Sequence, residues 1–417
     1  MIEKVDILLL EALKASLENR IVNWDSDLSE EEWMLFFKKA DIHQVLPLVF
    51  EAVCDCPAAK PFQGGLFMAV RQNVRQQVMI QILKTESFLA LYRHLKDQNV
   101  HPLVVKGIVC RNLYPKPDYR SSGDEDMLIH LDWFEDCHQA MLDFGMVVTR
   151  EDEGVLEEYE VPYGKKGSPI NIELHKSLFP PDSDAYGELN DYFVNVYESS
   201  VSIVVRDLEI KTLGYTDHLF YLICHAFKHF LHSGFGIRQV CDIIMFANAY
   251  GKQIDWSEML TKCQQIHADK FAAAIFQIGE NHLVFNAEKA CYPLEWQKIA
   301  VDETAMLLDL LDSGIFGDSD MSRKHSSLIT LNAVKAQKEG KAAKTNVIKT
   351  IFPNLDSMKG KYKYLHKYPF LLPIAWLQRI LKYGKESRNL EGNKASESIK
   401  IGGQRVELLK EYGIIDK

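Results

Sequence analysis

Asp124 and Asp126 stand two residues apart within 104–129, VVKGIVCRNLYPKPDYRSSGDEDMLI, at the start of an apolar run. On a strand, such a pair projects from one face. Like charges held that close repel, and a cation between them relieves the repulsion. The pair therefore reads as the holder of a divalent metal. A third carboxylate, Glu173, lies in a second strand pattern, residues 169–175: Ile170, Ile172 and Leu174 face one way, and Asn171, Glu173 and His175 the other. Three carboxylates suit in-line attack on the α-phosphate of a nucleoside triphosphate, where metal ions clamp the attacking and leaving oxygens. Mg2+ or Mn2+ is the expected cofactor, because hard cations prefer carboxylate oxygen. Asp124, Asp126 and Glu173 are then the catalytic and metal residues. Glu173 serves either as base for the attacking hydroxyl or as ligand of a second metal.

Other polar residues fit around this set. Lys106-Gly107, after the apolar Val104-Val105, offers a turn and a charge for phosphate. Arg120 reads equally as a bidentate phosphate ligand or as a structural partner of Asp118 or Asp124. Ser122, in the turn 121–123, joins the nucleotide side. His225, Lys228 and His229 lie in HAFKHFLH, where His225 and His229 share a helix face and His232 follows three residues on. The spacing admits zinc, but Ala226 stands where the zinc-protease pattern needs Glu. Their other reading, with His175, is as lining of a substrate cleft. Lys228 suits a phosphate contact, and Arg238 and Asp242, four apart, are expected to pair.

Elements that must position these residues follow from periodicity. Residues 1–98 read as helical, with the longest pattern at 66–97, free of Pro and Gly, and with Asp27 or Ser29 as a cap. Residues 99–215 mix strands (100–105, 124–131, 146–150, 157–163, 169–175 and 201–212) with helices at 108–114 and 132–144, the latter with Asp132 as cap. Residues 216–330 return to helix, broken at 233–236. Residues 331–417 form a lysine-rich extension, polar and loosely ordered after Lys385. Within it, 368–385 is aromatic, apolar and basic. It reads as a helix packed on its own protein or as a peripheral contact with a membrane surface or anionic polymer.

The chain has 417 residues and a net charge of -10. That length suits more than one domain. The acidic balance argues against broad nucleic-acid binding. Eight cysteines are scattered without CxxC spacing, which predicts a reducing cytoplasm. The N-terminus reads as an amphipathic helix rather than a secretory signal. No apolar run reaches the roughly 20 residues of a membrane span.

In motif order the chain resembles the uncharacterised nucleotidyltransferases of the DNA polymerase β-like superfamily. The matching residues are Lys106-Gly107, Leu113-Tyr114, Arg120, Asp124-Glu125-Asp126 before an apolar run, Glu173 with His175, and the later His225, His229 and Asp242. The likeness spans roughly residues 40–250. It implies an α+β fold, a mixed polymerase β-like sheet between N-terminal and C-terminal helical regions. It also implies transfer of a nucleoside monophosphate from an NTP, ATP foremost, to a hydroxyl acceptor. Two positions depart from the pattern. Ile108 replaces the phosphate-binding small or hydroxyl residue, and Glu125 stands where an apolar residue is usual, facing away from Asp124 and Asp126. They point to an alternative, a binding protein that keeps the fold without catalysis. A zinc hydrolase on the histidine helix is a third reading.

Overall fold

A computed structural model of the protein describes residues 2–24, 28–150, 154–314, 321–338, 352, 355–359, 362–388 and 395–416. A seven-stranded mixed sheet carries the centre, in the order β3-β4-β5-β2-β1-β7-β6. Its strands are β1 Leu103–Val105, β2 Glu125–Leu128, β3 Val147–Val148, β4 Glu160–Gly164, β5 Asn171–His175, β6 Val201–Val205 and β7 Leu208–Thr212. β2 lies between antiparallel β1 and parallel β5, with Val105 and Glu173 as the register partners of Asp126. A central strand has both faces covered, and all four β2 residues are buried.

Helices precede and follow this sheet. α1 (Lys4–Leu17), α2 (Glu30–Ile42), α3 (Leu46–Val53) and the long α4 (Leu66–Asp97) form the N-terminal layer. Ser29 opens α2 through a capping box with Glu32; Asp27, the other expected cap, lies outside the described residues. α5 (Gly107–Arg111) and α6 (Phe134–Asp143) sit within the sheet region. α7 (Tyr215–His232) and α8 (Ile237–Tyr250) pack on each other and face the carboxylates across a cleft. α9 (Trp256–Gln265), α10 (Asp269–His282), α11 (Leu294–Gln297), α12 (Thr304–Ser313) and α13 (Met321–Lys338) complete the main body. One apolar core runs through all of these, from Val5 to Ile415.

Three expectations change. Residues 201–212 are two strands, because the chain reverses at Arg206-Asp207, where Arg206 takes φ 55 without a glycine. Asp132 caps nothing; it lies in a 3-10 turn, Leu131–Trp133, ahead of α6. Of the stretch expected to be loose after Lys385, 389–394 and 417 lie outside the described residues, and the rest is ordered in part: the helix Ala395–Glu411 packs along α13, and Tyr412 donates to the Asp302 carbonyl. The helix Leu372–Arg388 packs on its own protein in part. Ala375 joins a small cluster with Met358 and Leu365, whereas Ile374, Leu377 and Leu381 stand exposed at helical spacing. Among the described residues no helix is long and apolar enough to cross a membrane.

Candidate active site

β2 and β5 hold the acids. Strand alternation sends Asp126 into a cleft between the sheet and α7–α8, and sends Glu125 to the opposite side. Asp124 lies just before β2 and also lines the cleft, so the two aspartates do share a side. Ligand atoms of Asp126, Glu173 and His175 come within 4.8 Å of one another. His175 joins that group, and Asp124 lines the same cleft outside it. His175 Nε2 stands 3.1 Å from Asp126 Oδ1 and 3.7 Å from Glu173 Oε2, and Nδ1 stands 3.9 Å from Glu160 Oε2. Glu160 reaches it because β4 pairs Glu160 with His175 across the antiparallel register.

These contacts set the charge states. Burial alone would raise the Asp126 carboxyl, but Lys106 and His175 hold it well below the usual carboxylate range. Burial works against the His175 charge, yet Asp126 and Glu173 outweigh it and push the imidazole up to about 9. Glu173 is pushed up to about 7, by burial first and by Asp124, Asp126 and Glu160, against the His175 hydrogen bond. Four carboxylates, Asp124, Asp126, Glu160 and Glu173, therefore line one cleft, with Lys106 and His175 paired to Asp126. Two carboxylates and an imidazole within one coordination sphere suit a divalent cation, with Mn2+ tolerating the nitrogen better than Mg2+.

Lys106 sits at a strained turn. It adopts φ 59 and ψ -128, which a side chain rarely takes. Its N–H donates to His218 Nε2 at 3.1 Å, so the His218 proton must sit on Nδ1, beside Thr212 Oγ1 at 3.0 Å. Thr212 Oγ1 in turn donates to the Val104 carbonyl. Burial keeps His218 neutral, down to about 3. The Lys106 ammonium lies 2.8 Å from Asp126 Oδ2 and 3.2 Å from His225 Nε2. Burial opposes the Lys106 charge, and Asp126 restores it and holds it above its usual range. His225, kept far below its ordinary pKa by burial and Lys106, can only accept from that ammonium.

Gly107 is required by Glu125. A Cβ at Gly107 (φ +34) would lie 2.0 Å from Glu125 Oε2. That oxygen takes the Ile108 N–H at 2.6 Å, and Arg111 pairs with the other at 2.8 Å. Glu125 therefore finds a buried partner rather than solvent. Ser122 Oγ is shared among Arg111, Gln81 and Glu125, and Lys84 of α4 holds the carbonyls of Ser122 and Gly123.

Arg120 pairs with neither Asp118 nor Asp124. It grips Asp242 through Nε, at 3.0 Å, and Nη2, and Tyr114 donates to the same carboxylate at 2.8 Å. Burial alone would weaken the Arg120 charge; Asp242 holds it above the usual range. The expected Arg238–Asp242 pair does not form, because Arg120 has taken Asp242. Arg238 donates instead to Gln44 Oε1 and the Ser121 carbonyl.

The cleft encloses about 210 Å³ and is lined by Lys106, Arg120, Asp124, Asp126, Glu173 and His175, with Lys228 and Arg238 on the helical side. His225 and His229 also line it, with ring centroids 4.7 Å apart. The described residues supply no third ligand for a zinc site on that helix. His218 and Arg238 were missed as site residues, although His218 lies seven before His225 on the same face. Glu160 was missed because strand register carries no sequence signal.

A family model described as uncharacterised nucleotidyltransferase matches residues 29–282. The chain belongs to that family. The match spans the sheet, α7, α8 and the cleft, so this nucleotidyltransferase carries its carboxylates inside the matched region. No curated protein and no solved structure matches the chain.

Proposed function

We propose that this nucleotidyltransferase moves a nucleoside monophosphate from an NTP, ATP foremost, to a hydroxyl acceptor. Asp126, Glu173 and His175 hold the divalent cation, and Asp124 stands beside them. The convergence of Asp126, Glu173 and His175 within 4.8 Å, in a cleft that also carries cationic groups, supports this reading. A bound Mg2+ or Mn2+ would neutralise the phosphoryl oxygens and orient the α-phosphate. The acceptor oxygen attacks the α-phosphorus, the bond to the bridging oxygen breaks, and pyrophosphate leaves. The acceptor proton passes to Glu173, whose side chain is 31% exposed, whereas Asp126 at 2% cannot meet an incoming hydroxyl. Lys106 keeps Asp126 ionised, and a cation at this site would displace the proton that His175 holds between the two carboxylates without metal.

The non-catalytic reading has one observation in its favour: Glu125 occupies the Ile108 N–H that a phosphate would otherwise use. One experiment separates the two. Purified chain is incubated with α-labelled ATP, Mn2+ or Mg2+, and sugar, protein and RNA acceptors. Labelled product that disappears in Asp126→Asn and falls about a hundredfold in Glu173→Gln is expected. Metal-dependent ATP binding without product under any condition favours the binding protein, and no ATP binding overturns both.

A further inference from the structure

Two walls of the cleft carry groups for phosphate, the turn after β1 and the helices α7 and α8. At the turn the Ile108 N–H is spent on Glu125, and a phosphate beside it would face that carboxylate. Displacing Glu125 would strand Arg111, whose side chain is 1% exposed. The opposite wall differs. Among the described residues five arginines are buried: Arg111, Arg120, Arg238, Arg323 and Arg405. Four of them pair with a carboxylate, of Glu125, Asp242 and, twice, Asp309. Arg238, 7% exposed, makes no ion pair among the described residues; its Nη1 donates to Gln44 and the Ser121 carbonyl, and its Nε has no hydrogen-bond partner among them. A buried guanidinium without a counter-ion is costly unless a ligand supplies the anion. Lys228, one helix away on α7, lines the same cleft and makes no hydrogen bond or ion pair among the described residues; its ammonium lies 5.9 Å from the Tyr186 ring centroid. Burial lowers the pKa of both groups, Arg238 to about 10, consistent with cations awaiting a partner.

We infer that Lys228 and Arg238 form the binding site for the β- and γ-phosphates of the NTP, so that α7 and α8, rather than the Lys106-Gly107 turn, recognise the polyphosphate tail. The inference rests on the nucleotidyltransferase reading above and assigns the tail within it. Lys106 stays with Asp126, at the α-phosphate end. Guanidinium and ammonium groups bind phosphate oxygens through charge-assisted hydrogen bonds. The two cations therefore select for tail length and are indifferent to the base.

Titration calorimetry with the full chain and Mn2+ tests this, using ATP, ADP, AMP and inorganic tripolyphosphate as probes. Wild type is expected to bind ATP and tripolyphosphate more tightly than ADP, and AMP weakest. Lys228→Gln and Arg238→Gln are each expected to weaken ATP and tripolyphosphate at least about tenfold and to leave AMP unchanged. Arg238→Lys guards against a folding defect, with thermal unfolding as the check, and recovers part of the loss. Equal ATP affinity in wild type and Lys228→Gln overturns this assignment and leaves the nucleotidyltransferase reading standing. A wild type that binds neither ATP nor tripolyphosphate overturns both.

Discussion

Lys106 is asked to serve two ends. It neutralises Asp126, whose Oδ2 lies 2.8 Å away, and a cation at the carboxylates competes with it for the same carboxylate. Removing one partner of a buried pair leaves the other uncompensated, at a cost of about 3–5 kcal/mol. Lys106→Met is therefore expected to unfold at lower temperature than wild type in chelator. Mn2+ should restore more of the melting temperature in the variant than it adds to wild type, because the metal then replaces the charge that Lys106 supplied to Asp126. Thermal scans with and without Mn2+ measure this, and an equal Mn2+ shift in both proteins would show that Lys106 and the metal do not share Asp126. Residue types alone brought this far. Asp126, Glu173 and Lys106 were readable because their spacing or an adjacent glycine marked them. Arg238 was not, because its significance lies in a missing partner: sequence spacing offered Asp242, and only the fold shows Arg120 holding that carboxylate.

At the scale of elements, α5 is tied to β2 through Glu125. One carboxylate takes the Ile108 N–H, pairs with Arg111, and forbids a side chain at 107. The departure that seemed to threaten catalysis is thus a packing device for the turn that carries Lys106. Breaking it is expected to be expensive. Glu125→Gln keeps an acceptor but leaves Arg111 buried and unpaired, for a loss of about 3–5 kcal/mol. Arg111→Met with Glu125→Gln should recover most of that, since no buried charge remains. Urea midpoints of the two proteins measure it, and a double variant as weak as the single would mean that the pair acts through something other than its charge. The helices were legible from periodicity, often to within two residues, as at α4 and α8. Strand ends were less so, because the three-residue β1 and two-residue β3 are too short to establish a period of two. The order of strands, which places β5 beside β2 and so Glu173 beside Asp126, is a long-range property that no local pattern encodes.

Over the whole molecule, buried imidazoles tie stability to pH. His43, deep under α12 with Nε2 3.2 Å from the Leu311 carbonyl, is held by burial at about 4. His218 and His229 are held at about 3, and His225 is also far below its ordinary 6.5. Unfolded, each of the four takes a proton near 6.5; folded, each stays neutral until much lower. Their contribution is complete above pH 6.5 and is lost as the pH falls toward about 4. Glu173 works the other way: folded it keeps its proton up to about 7, and unfolded it releases it near 4.5, so acidification through that window favours the fold. One carboxyl against four imidazoles leaves acid destabilising. On the alkaline side His175, pushed up to about 9, adds stability that is full below 6.5 and disappears as the pH rises through 9. Without metal, the melting temperature is therefore expected to peak near neutrality and to fall on both sides. His43→Gln retains a donor for the Leu311 carbonyl and cannot titrate, so its acid limb should be shallower while its alkaline limb matches wild type. Melting curves in chelator across pH 4 to 9 test both limbs, and parallel acid limbs in the two proteins would remove His43 from the account.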